Sequence, residues 1–367
     1  MKITRIDVFG FRYTVAGGAF ALSGGRVMRS LDSTLVKVST EAGLAGWGEH
    51  APIPGYMVAH AEGARAAIRE LAPALLGLDP RQVEVVYARM DQVLQGHAYA
   101  KSALDIACWD ILGQAAGLPL SDLLGGTFQP EFPLLGAVGL GSPEEMAERA
   151  QAVREAGYRR VQLKVGSDWR EDVRRVHACL SVLVDLDLVI ADANGYWRVH
   201  EAANVVAALE QQPLYLEQPC RTLAECLAIR RRTARPMILD ESLTDLDAVL
   251  EAQARDALDA AMLKLSRFGG ISRLRQARDL CQRWGLAVTI EDGGGGDVVA
   301  TASAHLAAST RPGLLLNGSL INGLVNERLA EGAPVARAGR GRVPTGPGLG
   351  IRVDERALGT PLFSVTA

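Results

Sequence analysis

The sequence predicts an α/β protein: an N-terminal α+β domain followed by a parallel barrel of alternating strands and helices. Three features carry this. From Pro133 onward, short apolar runs alternate with helical patterns, the order of a parallel barrel. Five of these runs close on a charged residue: V-Q-L-K, V-I-A-D, L-Y-L-E, M-I-L-D and A-M-L-K place Lys164, Asp192, Glu217, Asp240 and Lys264. Successive members lie 23 to 28 residues apart, one strand plus one helix in a barrel of roughly 250 residues. Ahead of this repeat, strands come first and helices after, which argues for a separate domain.

At 367 residues the chain has room for a large barrel and a smaller attached unit. Hydrophobic residues make up 48% and charged residues 22%, the profile of a soluble globular protein. A formal net charge of −3 gives no reason to expect nucleic acid or an anionic membrane as partner. No window approaches the ~18 apolar residues of a membrane span. The opening M-K-I-T-R-I-D-V-F reads as a first strand and not as a signal peptide, since no apolar h-region follows. Cys108, Cys179, Cys220, Cys226 and Cys281 are scattered, odd in number and without C-x-x-C spacing. Free buried thiols in a cytoplasmic protein are expected.

Taken in order, Ile3, Ile6 and Val8 open a strand, S-T-L-V-K-V-S-T makes another, and a turn at Glu41-Ala42-Gly43 leads into a third through Trp47-Gly48-Glu49. The glycines of V-A-G-G-A-F-A-L-S-G-G-R predict a mobile loop, and H-A-P-I-P-G-Y-M a second loop. Helical patterning runs from Ala59 up to Pro80. A further helix from Tyr99 ends on Gly117, with Pro119 just beyond. G-G-T-F-Q-P-E-F-P, Gly125 to Pro133, marks a linker. About eight strand-like starts follow, among them S-V-L-V-D-L-D-L-V-I-A-D from Ser181. The turn-rich tail from Arg342 is expected to pack back on the N-terminal domain.

A parallel barrel opens all its C-terminal strand ends onto one face, so the five charged residues are expected to share a site. Three converging carboxylates without a cation would repel and raise one another's pKa. A hard divalent ion removes that cost, and Mg²⁺ suits a site that keeps positions open for substrate and water. Each carboxylate alone could be a helix N-cap or a salt-bridge partner; three at successive strand ends favour the shared site. A lysine in an apolar strand end is costly unless paired or functional. Burial or a neighbouring cation lowers its pKa from ~10.4 towards ~7–8, where a general base is useful. Lys164 precedes the carboxylates in barrel order and Lys264 follows them, so the two are expected to face a substrate from opposite sides. Ordinary salt bridges to the carboxylates are the alternative.

Trp47-Gly48-Glu49, Y-A-K-S-A-L-D-I-A-C-W-D-I-L-G, Q-L-K-V-G, D-A-N-G, L-E-Q-P, L-D-E-S, K-L-S-R-F-G-G and P-T-G-P-G-L-G complete the pattern. Together they make the chain resemble the enolase superfamily, in its muconate lactonizing enzyme-like branch, over essentially its whole length. The resemblance implies a capping domain (1–125) over a modified (β/α)₇β barrel (126–335), with residues 336–367 returning to the capping domain. It implies Mg²⁺ held by Asp192, Glu217 and Asp240 against a substrate carboxylate, with Lys164 or Lys264 removing the α-proton to give an enediolate. It also implies a homo-oligomer, often an octamer.

Within that branch the chain is similar to proline betaine and hydroxyproline betaine epimerases and to cis-3-hydroxyproline dehydratases. Gln162 stands where many members carry the first lysine of Lys-x-Lys. The epimerases' E/D-D-x-W-G-G-D motif corresponds to Glu291-Asp292-Gly293-Gly294-Gly295-Gly296-Asp297, with Gly294 in the tryptophan slot. Glycine offers no aromatic face to a quaternary ammonium, whereas Tyr56 matches the family's aromatic substrate contact. Gln162, Asp292, Gly294 and Gly295 are the other expected substrate contacts; the bland alternative for the glycines is a flexible turn. The A-L-S-G-G-R loop resembles that of the dehydratases. None of the six histidines sits where a barrel base would, so a lysine pair is expected and not a His–Asp dyad. His50, on the capping loop, is expected to be a solvated loop residue, with a substrate contact as the alternative. The expected activity is Mg²⁺-dependent racemisation or epimerisation of a small proline-like carboxylate, with dehydration of a hydroxyproline-type substrate on the same site as the alternative. A cycloisomerase and a non-catalytic relative stand behind these, the latter predicting erosion of five residues that are all intact.

Overall fold

The structure, a computed structural model, describes residues 1–367. Three long strands open it: β1 (Ile3–Thr14), β2 (Ser30–Thr40) and β3 (Ala45–His50). They pair antiparallel in order, and the C-terminal strand Phe363–Thr366 adds to the free edge of β1. The turn between β2 and β3 places Gly43 at φ +80°, a conformation glycine adopts without strain. On this sheet lie α1 (Ala61–Leu71), α2 (Val83–Val93) and α3 (Ala98–Ala116). Helix α3 is buried along nearly its whole length and ends on Gly117 at φ +69°, as the sequence signals require.

The barrel follows: β4 (Leu135–Val138), α4 (Pro143–Glu155), β5 (Arg160–Lys164), α5 (Trp169–Val182), β6 (Leu188–Asp192), α6 (Val199–Ala208), β7 (Tyr215–Glu217) and α7 (Leu223–Arg230). It continues with β8 (Met237–Leu239), α8 (Leu246–Ala254), β9 (Ala260–Lys264), α9 (Ile271–Trp284), β10 (Ala287–Glu291), α10 (Asp297–Ala308) and β11 (Leu315–Gly318). The eight strands are parallel neighbours in chain order, and a parallel bridge from Leu134 to Gly318 brings the last beside the first. This is the (β/α)₇β barrel under an α+β cap. Inside its lower end Leu135, Leu188, Ile190, Ile238, Ala260 and Met262 form a separate apolar plug, so the barrel is packed and not a pore. No helix is long and apolar enough to cross a membrane. All five cysteines are free and buried.

Local details depart from the sequence expectations. The helix expected up to Pro80 ends at Leu71, because Pro73 has no N–H and its ring would clash with the carbonyl one turn back. Helices α2 and α5 have no counterpart in the sequence reading. The strand expected from Ser181 begins only at Leu188: α5, N-capped by Asp168, runs to Val182, and Asp185 turns at φ +58°. The β-branched and leucine residues spread over Val182–Ile190, with Asp185 and Asp187 at alternating positions, hide that break. The loop expected to be mobile holds a short hairpin, Phe20–Ala21 with Val27–Met28. It is tied to the barrel mouth by Gly24 N–H to the Gly166 carbonyl (3.0 Å) and by Ser23 Oγ to Asn194 Oδ1 (2.8 Å). Part of the expected linker, Glu131–Pro133, pairs with Arg340–Arg342.

Candidate active site

Barrel register assembles the site. Lys164 pairs with Asp192 across β5 and β6, Asp192 with Glu217 across β6 and β7, and Lys264 with Glu291 across β9 and β10. Residues paired across neighbouring parallel strands end at one level, so these side chains reach one mouth. Apart from the half-buried Glu291, all are buried: Asp192 and Asp240 are fully covered, Lys264 is 4% exposed and Lys164 8%. Two residues just past the carboxylates, Asn194 (φ +46°) and Gln218 (φ +35°), take left-handed backbone, strain that persists where the surroundings over-determine it.

The charges interlock. Lys164 Nζ donates to Asp192 Oδ2 (2.5 Å), and Asp192 Oδ1 also accepts the Asn194 N–H (2.8 Å). Lys264 Nζ donates to Asp240 Oδ2 (2.5 Å) and to the Tyr56 hydroxyl (2.6 Å), and lies 3.3 Å from Glu291 Oε1. Arg267 holds the other Asp240 oxygen at 2.5 Å. Gln162 Nε2 donates to Glu217 Oε2 (2.7 Å), while Glu217 Oε1 is buried without any partner. Asn194 Nδ2 donates to Glu241 Oε1 (3.0 Å), and Glu241 Oε2 is likewise orphaned.

The sequence expectation that burial lowers the lysine pKa values meets an opposing effect here, because carboxylates that would hold a cation hold the ammonium groups. Burial does work against both ammonium groups, but Asp192 and Glu217 around Lys164, and Asp240, Tyr56 and Glu291 around Lys264, outweigh it and raise both. Burial pushes Asp240 up, yet Arg267 and Lys264 hold it below the ordinary carboxylate range. Burial, then Asp192, Asp240 and Glu291, push Glu217 far above it.

No three metal-ligating side chains are gathered into a ready-made cluster, because the ammonium groups take the oxygens of Asp192 and Asp240. The donor set nevertheless fits a divalent cation. Asp192, Glu217, Asp240, Glu241 and Glu291 face Lys164, Lys264 and Arg267, five acidic groups against three basic ones, and a buried Glu217 oxygen stands unpaired. Such a group is either paired, metal-bound or neutralised.

A small chamber of about 70 Å³ is lined by both lysines, Gln162, Tyr56, Glu291 and Asp292. Phe20, Leu22 and Met28 of the hairpin, with Ile53 and Ile321, make its apolar walls. Outside Tyr56 lies a vestibule of about 530 Å³ carrying Arg26, Asn194, Arg221 and Glu241. The largest cavity, about 840 Å³, contains none of these residues; it runs along Asp187–Val189 and Pro213–Tyr215, towards the strand starts, the end of the barrel that does not carry chemistry.

The expected substrate contacts divide. Tyr56 and Gln162 line the chamber with the lysines. Asp292 lines it too, but its oxygens are taken by Ser266 N–H (3.0 Å), Ser266 Oγ (2.5 Å) and Gly293 N–H (2.7 Å). Gly294 and Gly295 do not reach it; Gly293 does. A Cβ on Gly294 would stand 2.6 Å from the Ala51 carbonyl oxygen. His50 is not solvated: it is fully buried, both ring nitrogens lack partners, and burial with Arg65 nearby pushes it down to about 3. Asn194, Glu241, Arg267 and Glu291 were not singled out from the sequence. Their signal lay in polar residues beside the chosen ones, in D-A-N-G, L-D-E-S, K-L-S-R and E-D-G-G.

Comparison with known proteins places this arrangement. The mandelate racemase / muconate lactonizing enzyme N-terminal domain matches residues 22–125, and the enolase C-terminal domain-like family matches residues 145–357. The chain belongs to the enolase superfamily, in the mandelate racemase and muconate lactonizing enzyme branch, and is an enzyme of that superfamily. Cis-3-hydroxy-L-proline dehydratase of Roseibium aggregatum is 42% identical to it over 363 residues, 99% of each chain. N-succinyl-L-Arg/Lys racemase of Bacillus cereus is 28% identical over 98% of this chain and 97% of its own. An enolase superfamily member from Roseovarius nubinhibens ISM, solved in complex with magnesium, superposes with a TM-score of 0.94 at 38% identity over the full length of both chains.

Proposed function

We propose that the protein is a hydro-lyase that removes water from a 3-hydroxyproline-type substrate. The observation that carries this is a pair of buried lysines in one small chamber, Lys164 and Lys264, each on a different side of the carboxylates in barrel order. The dehydratase from Roseibium aggregatum supports the substrate class. In cis-3-hydroxy-L-proline the α-hydrogen and the 3-hydroxyl lie on opposite ring faces. Loss of water therefore needs a base on one face and an acid on the other, which two opposed lysines supply. One lysine, in its neutral form, takes the α-proton, the C–H electron pair becomes the C2–C3 double bond, and the other lysine protonates the departing hydroxyl as the C–O bond breaks. The resulting enamine then becomes the cyclic imine by gaining a proton at C3 and losing the one on the ring nitrogen.

Asp192, Glu217 and Asp240 are the residues that would hold a magnesium ion, as their charge surplus suits. Bound there, it would stabilise the negative charge that builds on the substrate carboxylate. Gln162 orients Glu217, Arg267 orients Asp240, and Tyr56 orients Lys264. The apolar walls limit contact with water, and a volume near 70 Å³, against ~300–1,000 Å³ for common ligand pockets, suits a small substrate.

The racemase or epimerase reading, the leading expectation from the sequence, becomes the second choice beside the 42% identical dehydratase. It stays open because the same lysines could return the proton to the opposite face and the 28% identical relative is a racemase. Proton NMR in D₂O with Mg²⁺ separates the two. The expected outcome with cis-3-hydroxy-L-proline is loss of the C3 carbinol signal and formation of a cyclic imine. Growth of the C2 epimer with the hydroxyl retained would establish the epimerase instead. Of Lys164→Ala and Lys264→Ala, the variant lacking the base should lose α-deuteration altogether, and the one lacking the acid should lose dehydration. Turnover that survives in both variants would remove the lysine mechanism.

A further inference from the structure

Glu49 lies on the capping domain at the end of β3, fully buried, and takes part in none of the contacts around the lysines. Its Oε1 accepts from the Tyr13 hydroxyl (2.9 Å), Ser33 Oγ (2.9 Å) and the Gly296 N–H (2.8 Å). Its Oε2 accepts from the N–H groups of Val298 (3.1 Å) and Val299 (3.2 Å). The last three donors belong to the start of barrel helix α10, whose own N-cap position is Gly296, with no side chain to serve them. The helix's first acidic residue, Asp297, is committed elsewhere, to the N–H groups of Leu329 (2.7 Å) and Ala330 (2.9 Å).

The turn joining β10 to α10 is moulded against the same domain. A Cβ on Gly296 would come within 2.0 Å of the Tyr13 hydroxyl, one on Gly294 within 2.6 Å of the Ala51 carbonyl, and one on Gly293 onto Met57 Cε. This turn begins at Glu291 and Asp292, which wall the chamber. One end of it is fixed by the barrel strand and the other by a carboxylate from a different domain.

We propose that Glu49 is a positioning residue: it caps α10 from the capping domain and so sets the Glu291–Gly296 turn, and with it the chamber wall beside Lys264. The capping domain thus fixes the site through the helix start as well as through Tyr56. The kinetic part of the test rests on the dehydratase reading; the exchange part does not.

The test compares Glu49→Gln with Asp110→Asn. Asp110 is a buried capping-domain carboxylate that accepts from Trp47 and Leu349 N–H and touches no barrel helix start, so it reports loss of a domain contact alone. Amide hydrogen exchange, melting temperature and turnover of cis-3-hydroxy-L-proline are measured for both. In Glu49→Gln, exchange should quicken at Gly296, Val298 and Val299 and spread to Asp292 and Gly293, and kcat/KM should fall on the order of 10-fold or more. Asp110→Asn should lower the melting temperature while leaving exchange in that turn and kcat/KM near the starting protein. If Glu49→Gln loses melting temperature alone, or its exchange stays confined to the helix start, the proposal is overturned. Should Glu49→Gln fail to fold, Ser33→Ala removes a single donor to Oε1 and must show the same pattern in milder form. Should the unaltered protein fail to turn over the substrate, the dehydratase reading falls, and exchange at Asp292 and Gly293 alone decides the role of Glu49.

Discussion

Glu217 and His50 show at single residues what burial does to a polar group without a full set of partners. Glu217 keeps one oxygen unpaired among carboxylates, which a cation can use. His50 keeps two unpaired nitrogens against Arg65 and has no such outlet. Its native form is neutral down to about pH 3, whereas the unfolded chain titrates near 6.5. Between those values only the unfolded state binds the proton, so stability is lost as pH falls below about 6.5. Replacing the ring by His50→Leu should therefore help most on the acid side. Urea midpoints between pH 7 and pH 4 should show the variant gaining on the original protein as pH drops; a constant difference would place the titration elsewhere.

At the scale of elements, the β10–α10 turn shows why Gly294 suits the position that the epimerase motif read from the sequence gives to tryptophan. The backbone at Gly294 lies under the Ala51 carbonyl, with Leu31 Cδ2 at 3.2 Å from a built Cβ. No rotamer relieves a clash with backbone. Gly294→Trp should therefore pry the capping domain from the barrel, costing about 1–3 kcal/mol or more, and should not create a betaine site. A lowered melting temperature without N-methylproline binding is the expected result; an unchanged melting temperature would mean the turn is free to move outward. Helix α9 is capped in the same cross-domain way, by Asp105 on the Ser272 N–H (2.9 Å) and Oγ (2.6 Å), so both helices that follow the Lys264 and Glu291 strands start on capping-domain carboxylates.

For the whole molecule, one apolar core of 97 buried residues runs through both domains, and the C-terminal strand Phe363–Thr366 closes the edge of the capping sheet. The cap and the barrel thus share one core, with the site between them. The surplus of acidic groups at that junction leads us to expect a stability that depends on cations. Magnesium, binding the native form alone, should raise the melting temperature, by the equivalent of about 2.7 kcal/mol at a hundredfold excess over Kd. EDTA should reverse the gain and abolish turnover, and Glu217→Gln should lose most of it. A melting temperature indifferent to magnesium would show that the lysines and Arg267 already satisfy the carboxylates.

The sequence by itself determined the barrel, its capping domain and the five charged residues at the strand ends. Those follow from local periods, two for strands and about 3.6 for helices, and from a charge closing each apolar run. Helix α5 escaped because Val182 to Ile190 alternates apolar residues with Asp185 and Asp187, a strand-like pattern laid across a helix end and a strand start alike. What only the tertiary structure decided is who touches whom. Lysines meant to be lowered by burial are raised, since carboxylates on neighbouring strands outweigh it. Gly294 turned out to be a fitting surface for the cap, His50 a core residue, and Glu49 the cap of a helix about 250 residues further on. Partners so far apart in the chain leave no periodic trace in it, because they are set by how two domains pack.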